Sequence, residues 1–108
     1  MKKVGASRSA APARRSAKQY VLRLYVAGLT PRSRNAIANI TSICEEYLLG
    51  RYDLEVIDVF KRPVLAREEQ IIATPTLVKK LPAPLRRFIG DLSEKEKVLV
   101  GLDMRRQG

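Results

Sequence analysis

The sequence predicts an α/β domain that opens with a strand–helix–strand unit, and three observations carry that prediction. The run "YVLRLYVAG" (20–28) is apolar almost throughout, rich in Val, Leu and Tyr, and interrupted only by Arg23. So continuous a run fits a strand buried on both faces. Beyond it Ala36, Ile37, Ile40, Ile43, Cys44, Tyr47 and Leu48 recur at three-and-four spacing, the pattern of a helix with one apolar face. "LEVIDVF" (54–60) then reads as a second strand. Short connections between the three elements make the two strands parallel.

Each element carries its own punctuation. Thr30 offers an N-cap and Pro31 a pre-set first helical position, while Gly50 closes the helix. The second half is less determined. "PVLAREEQIIA" (63–73) starts on a proline and keeps Leu65, Ile71 and Ile72 to one side, which favours a helix. "TLVKKL" (76–81) and "LRRFIGD" (85–91) read as strands separated by the breakers Pro82 and Pro84. Ser93 and Glu96 form a capping box opening a last helix. The residues after it, "VLVGLDM", pull the other way: Val98 and Val100 prefer strands, and Gly101 costs a helix interior about 1 kcal/mol relative to Ala. Cap and propensity disagree over the same dozen residues, the mark of low specification or of two structures close in energy.

Composition removes several function classes. The apolar runs fall far short of the ~20 residues of a membrane span, and no signal-peptide h-region stands near the start, so a cytoplasmic protein is expected. The one cysteine, Cys44, excludes an internal disulfide and falls on the apolar side of the helix, where a buried thiol is the plain reading. There is no histidine, which removes the usual zinc sites and every His-based catalytic group; no metal or other cofactor is expected. The net charge of +10 is unevenly placed. Residues 1–18 hold six bases (Lys2, Lys3, Arg8, Arg14, Arg15 and Lys18) and no acid, and the 15 bases and 11 acids that remain leave only +4. The Ala/Ser/Arg composition of 1–18 predicts a disordered basic tail ahead of one domain at 19–108. Aromatic residues make up only 6% and none is interleaved with bases, so nucleic-acid binding by stacking has little to work with.

The element order, a βαβ unit followed by helix, strand, strand and helix, resembles a thioredoxin-like domain (βαβαββα). "ATPTL" (73–77) resembles the segment in which that fold carries a cis-proline, here Pro75. A proline lacks the ladder N–H and belongs at a strand's first residue. Thioredoxins also carry a CxxC at the start of their first helix; here that place reads "TPRS", Thr30 to Ser33. Hydroxyls cannot cycle through a disulfide, so the oxidoreductase reading fails there and a binding module is expected.

A closer resemblance covers Tyr20 to Asp103. "YVLRLYVAGLTPRS", "LEVIDVFKRP", "ATPTLVKKLPAP" and "RRFIGDLSEKEKVLVGLD" are similar, in this order, to the KaiB circadian clock family. That resemblance implies a protein that is not an enzyme, binds the first ATPase ring of the hexameric KaiC and helps time its phosphorylation cycle. It also implies two folds. One is a resting dimer or tetramer that keeps the first half and folds the second as βααβ-like structure (βαββααβ overall); the other is a monomeric thioredoxin-like form that binds the ring. Family positions that set the balance match Tyr20, Gly101 and Asp103, and the basic positions of the ring-binding surface match Lys61, Lys79, Arg86 and Arg87. Asp53 and Glu55 depart from the family, whose cyanobacterial members tend to have a small residue and a lysine there, on the strand edge that recruits KaiA and competing kinases. A base replaced by an acid disfavours an acidic partner, which makes KaiA binding doubtful. With "MRRQG" following Asp103 in place of an acidic tail, a divergent member of a reduced KaiB–KaiC system is expected. The competing readings are a thioredoxin-like adaptor in a stress or signalling pathway and a redox protein, the latter weakened by the missing CxxC.

Overall fold

A computed structural model describes residues 19–103 of the chain. Four strands and three helices follow in the order β1 (Tyr20–Val26), α1 (Pro31–Tyr47), β2 (Tyr52–Asp58), α2 (Pro63–Glu68), β3 (Thr76–Leu81), β4 (Arg86–Ile89) and α3 (Lys95–Gly101). The sheet order is β2-β1-β3-β4. β1 pairs parallel with β2, from Tyr20 beside Tyr52 to Val26 beside Asp58, as the short βαβ connections require. β3 runs antiparallel to β1, and β4 antiparallel to β3. The long apolar run thus becomes a central strand covered on both faces.

On one face, Tyr20, Leu22, Leu24 and Val26 of β1 and Leu77 of β3 pack against Ala36, Ile40, Ile43 and Cys44 of α1 and Val98 and Leu99 of α3. On the other, Tyr25, Ile57 and Val78 form a smaller cluster under Leu65, Ala66 and Ile71, from α2 and the segment after it. α1 begins as its sequence dictates: Thr30 sits in extended geometry and its Oγ1 accepts a hydrogen bond from the Ser33 amide at 3.1 Å.

The differences from the sequence reading lie at element ends and have local causes. α1 stops at Tyr47, and Gly50 (φ 77°) serves the turn beyond rather than the helix end itself. β2 spans 52–58, so Phe60 falls in the following turn. α2 is one and a half turns long rather than reaching Ala73. Gln70 takes a left-handed conformation (φ 59°), and Pro75 disfavours helix at the residue before it. The capping box does not form. Asp91 Oδ1 accepts the Ser93 amide at 3.1 Å in an Asx turn, Leu92 turns left-handed (φ 64°) with its side chain buried, and α3 starts after Glu94 with no side-chain cap. Within 95–101 helix prevails over the strand preference of the valines because it buries Val98 and Leu99.

Candidate partner-binding surface and switch seam

At the start of α1 the Thr30 hydroxyl donates to Ser33 Oγ at 3.1 Å, so the two residues standing at the redox-pair positions satisfy one another. The Thr74–Pro75 peptide is cis, as are Leu81–Pro82 and Ala83–Pro84. Pro75 directly precedes β3, and its carbonyl accepts the Gly90 amide at 2.9 Å, tying the loop to the end of β4. No thiol is at hand for disulfide exchange. Cys44, the one cysteine, is wholly buried between α1 and the sheet, and burial pushes its thiol up to about 12. Among the described residues no cluster of three or more His, Cys, Asp or Glu could hold a metal ion, and no helix is long and apolar enough to cross a membrane.

The four basic residues do not form one patch. Lys61 is exposed in the turn between β2 and α2. Arg86 is exposed at the start of β4, three strands away, roughly 14 Å at the usual strand spacing. Arg87 is drawn toward α2: its guanidinium lies 3.8 Å from Glu69 and donates to the Gln70 carbonyl at 3.3 Å. Lys79 must be corrected, for it is only 1% exposed and offers no surface to a partner in this fold. Side chains alternate along β3, so Lys79 falls on the face of Leu77, toward α1 and α3, while Lys80 falls on the face of Val78, toward α2, and pairs with Glu69 at 2.7 Å.

Tyr20, Gly101 and Asp103, by contrast, meet. The buried Tyr20 hydroxyl donates to the carbonyls of Leu102 (3.0 Å) and Asp103 (3.3 Å), joining the start of β1 to the end of α3. Burial raises the pKa of Tyr20, and the negative charge of Asp103 raises it further, against the Arg51 guanidinium that lies 5.9 Å from its ring centre. Gly101 faces Phe88 of β4: a β-carbon there would overlap the ring, 2.6 Å from Cζ. Asp103 closes α3 in a left-handed conformation, φ 64°. Two further ties hold this segment to the first half, Asn39 Nδ2 to the Asp91 carbonyl at 2.7 Å and Lys95 to Glu46 at 2.9 Å. The Phe88 contact and the burial of Lys79 carry no sequence signal of their own; both depend on how the sheet packs against the helices.

At the β2 edge Asp53 and Glu55 are exposed, but Glu55 is flanked by Arg23 (3.7 Å) and Arg62 (3.2 Å). Its negative charge is offset twice over, which weakens the charge argument against an acidic partner there.

Known proteins share this pattern. The KaiB domain family matches residues 23–104. A circadian clock oscillator protein KaiB of Microcystis aeruginosa is 59% identical over 87 residues, covering 81% of this chain and 84% of the relative. The chain belongs to the KaiB family. Its fold is thioredoxin-like. The N-terminal domain of SasA from Synechococcus elongatus superposes with a TM-score of 0.66 at 24% identity, covering 96% of this chain and 99% of that domain. Mitochondrial thioredoxin 3 of Saccharomyces cerevisiae gives 0.65 at 18% identity, covering 80% and 79% of the two chains. These two likenesses speak for the fold alone. As a KaiB-family chain it is a clock protein, and the Thr30–Ser33 pair is how its thioredoxin-like corner differs from a dithiol site.

Proposed function

We propose that this chain is a non-catalytic cytoplasmic timing protein that binds the first ATPase ring of a KaiC-like hexamer and modulates its phosphorylation cycle. In this reading the thioredoxin-like form is the ring-binding form, and a resting dimer or tetramer refolds the second half as βαββααβ. The observation that carries it is the seam. α3 and its approach are joined to the first half by polar ties from Tyr20, Asn39 and Lys95 and by Leu92, Val98, Leu99 and Leu102 in the shared core, so that the first half meets the second along one continuous seam. Ring binding then selects the fastened form from the equilibrium. Lys61, Arg86 and Arg87 steer the approach to an acidic face. The expected basic tail, 1–18, lies outside the described residues, and deleting it is expected to leave ring binding intact.

The test mixes the chain with the KaiC-like hexamer of its own host in ATP or ADP and weighs the product by native mass spectrometry. Expected is a hexamer carrying monomers of this chain, formed slowly because refolding precedes binding. NMR of the free chain should give two sets of exchanging amide peaks. No complex under either nucleotide would overturn the reading.

A further inference from the structure

β1 carries two tyrosines on opposite faces of the sheet. Tyr20 lies on the α1 side, where its hydroxyl has two carbonyl partners. Tyr25 lies on the α2 side, between Ile57 of β2 and Thr76 of β3, and is wholly buried. Its hydroxyl has no hydrogen-bond partner, alone in that respect among the buried side-chain polar atoms of the described residues. The Thr76 hydroxyl beside it is already donated to the Ala73 carbonyl at 2.6 Å. A hydroxyl taken from water without a partner costs free energy in the state that buries it and none in a state that hydrates it.

The cover over Tyr25 is thinly secured. α2 buries no residue fully and has no side-chain cap, and the chain leaves it through Gln70 at a left-handed φ of 59°. From this segment Leu65, Ala66 and Ile71, each partly buried, pack on Tyr25, Ile57 and Val78. Its polar hold is Glu69, between Lys80 at 2.7 Å and Arg87 at 3.8 Å, and both basic partners stay partly exposed. Ion pairs open to solvent stabilise little. α1 buries five residues along its 17. An element with few buried apolar contacts opens at a lower free energy than the core beside it.

We propose that the Tyr25 hydroxyl is a built-in loosening device: buried without a partner beneath 63–72, it lowers the free energy at which that segment lifts from the sheet. The segment then opens ahead of α1, and the hydroxyl regains hydrogen bonds to water. This is a property of the thioredoxin-like form itself and needs no partner protein. For the fold switch proposed above, and resting on that reading, it supplies a part of the second half that releases while β1 and α1 stay packed.

Amide hydrogen exchange of the full chain, followed by NMR with urea added below the unfolding transition, separates local from global opening. The reporters are the amides of Glu69 and Ile71, bonded to the Leu65 and Ala66 carbonyls at 3.0 and 2.9 Å, against that of Ile40 in α1. Glu69 and Ile71 should exchange faster than Ile40 and with little dependence on urea. Tyr25→Phe keeps the ring and removes only the hydroxyl; it should slow both reporters about tenfold and raise the urea midpoint. Tyr20→Phe, which removes a satisfied hydroxyl, should slow neither. Leu65→Ala thins the cover and should speed both several-fold while the spectrum keeps its pattern. Exchange at Glu69 and Ile71 as slow as at Ile40 overturns the proposal, because the segment would not open by itself. Unchanged or faster exchange in Tyr25→Phe also overturns it, because the hydroxyl would then be satisfied in the closed state. None of these measurements uses the KaiC-like hexamer, so a failure of ring binding overturns the reading above and leaves this one to be decided by exchange alone.

Discussion

The two halves of this domain are built to different standards. In the first, β1-α1-β2, the helix has a side-chain cap at Thr30 and a proline at its first position, and five of its residues are buried. In the second, both helices are a turn and a half to two turns long and lack side-chain caps, and α2 buries no residue fully. All three non-glycine residues in left-handed conformations among those described, Gln70, Leu92 and Asp103, also lie there. Each such residue carries a local conformational penalty that packing must offset. The first half is specified by its own sequence, whereas the second is held in this arrangement by what it touches. The fold switch proposed above, confined to the second half, would need that division of labour.

The widest expected contrast sets a core residue of the first half against one of the second. Ile40 is wholly buried between α1 and the sheet, and Ile40→Ala should cost about 2–5 kcal/mol and unfold every form of the chain, read as a lower urea midpoint. Leu65 in α2 is only partly buried, and Leu65→Ala should cost nearer 1 kcal/mol. Equal losses at the two sites would break the comparison.

Tyr20→Phe sharpens it next, because it removes only the hydroxyl that ties β1 to α3. The loss should be about 1–2 kcal/mol, since the Leu102 carbonyl is left buried without its donor. The burial of the same hydroxyl, with the Asp103 charge beside it, predicts a pH response. With its folded pKa raised, Tyr20 contributes stability that is fully present below about pH 10, its ordinary value, and is lost as the pH climbs through the folded value. Denaturation midpoints at pH 9 and 11 should therefore differ more for the parent chain than for Tyr20→Phe. A mutant as alkali-sensitive as the parent would take Tyr20 out of the seam.

The same division explains what could be read in advance. The βαβ unit, the Thr30 cap and the place of Pro75 are local signals, and residues 20–60 and 73–77 state them without help from the rest. The errors concentrate where tertiary contacts decide. Ser93 and Glu96 spell a capping box, yet the Asx turn of Asp91 takes the Ser93 amide so that Leu92 can drop into the core. Lys79 and Lys80 look alike in sequence, and only the packing over the two faces of β3 decides that the first is buried. The seam was legible through family resemblance alone. Tyr20 and its carbonyl partners are more than 80 residues apart and no short-range pattern links them.

Gly101→Ala tests whether propensity or packing governs α3. Helix propensity favours Ala by about 1 kcal/mol in the form where 95–101 is helical. The new β-carbon would meet the Phe88 ring, which must swing aside and lose part of its packing. The net shift toward the thioredoxin-like form should therefore fall below about 1 kcal/mol alone and approach it when Phe88→Leu clears the space. Relative peak volumes of the two forms in NMR measure it. The same shift with and without Phe88→Leu would mean that the ring moves freely and that propensity alone sets the balance.

The smallest effect is expected at Asp103, where two causes can be separated. Its left-handed φ suits glycine, so Asp103→Gly should favour the thioredoxin-like form by about 0.5–1 kcal/mol through the backbone. Its carboxylate acts independently, by raising the pKa of Tyr20. Asp103→Ala removes that charge and keeps a β-carbon, so it should lower the Tyr20 pKa without the backbone gain. Tyrosine titration followed by ultraviolet absorbance reads the first effect, and the NMR populations read the second. If Gly and Ala shift the populations equally, charge rather than backbone geometry sets the closure of α3, and Asp103 belongs to the seam as an electrostatic neighbour of Tyr20 instead of as the cap of the helix.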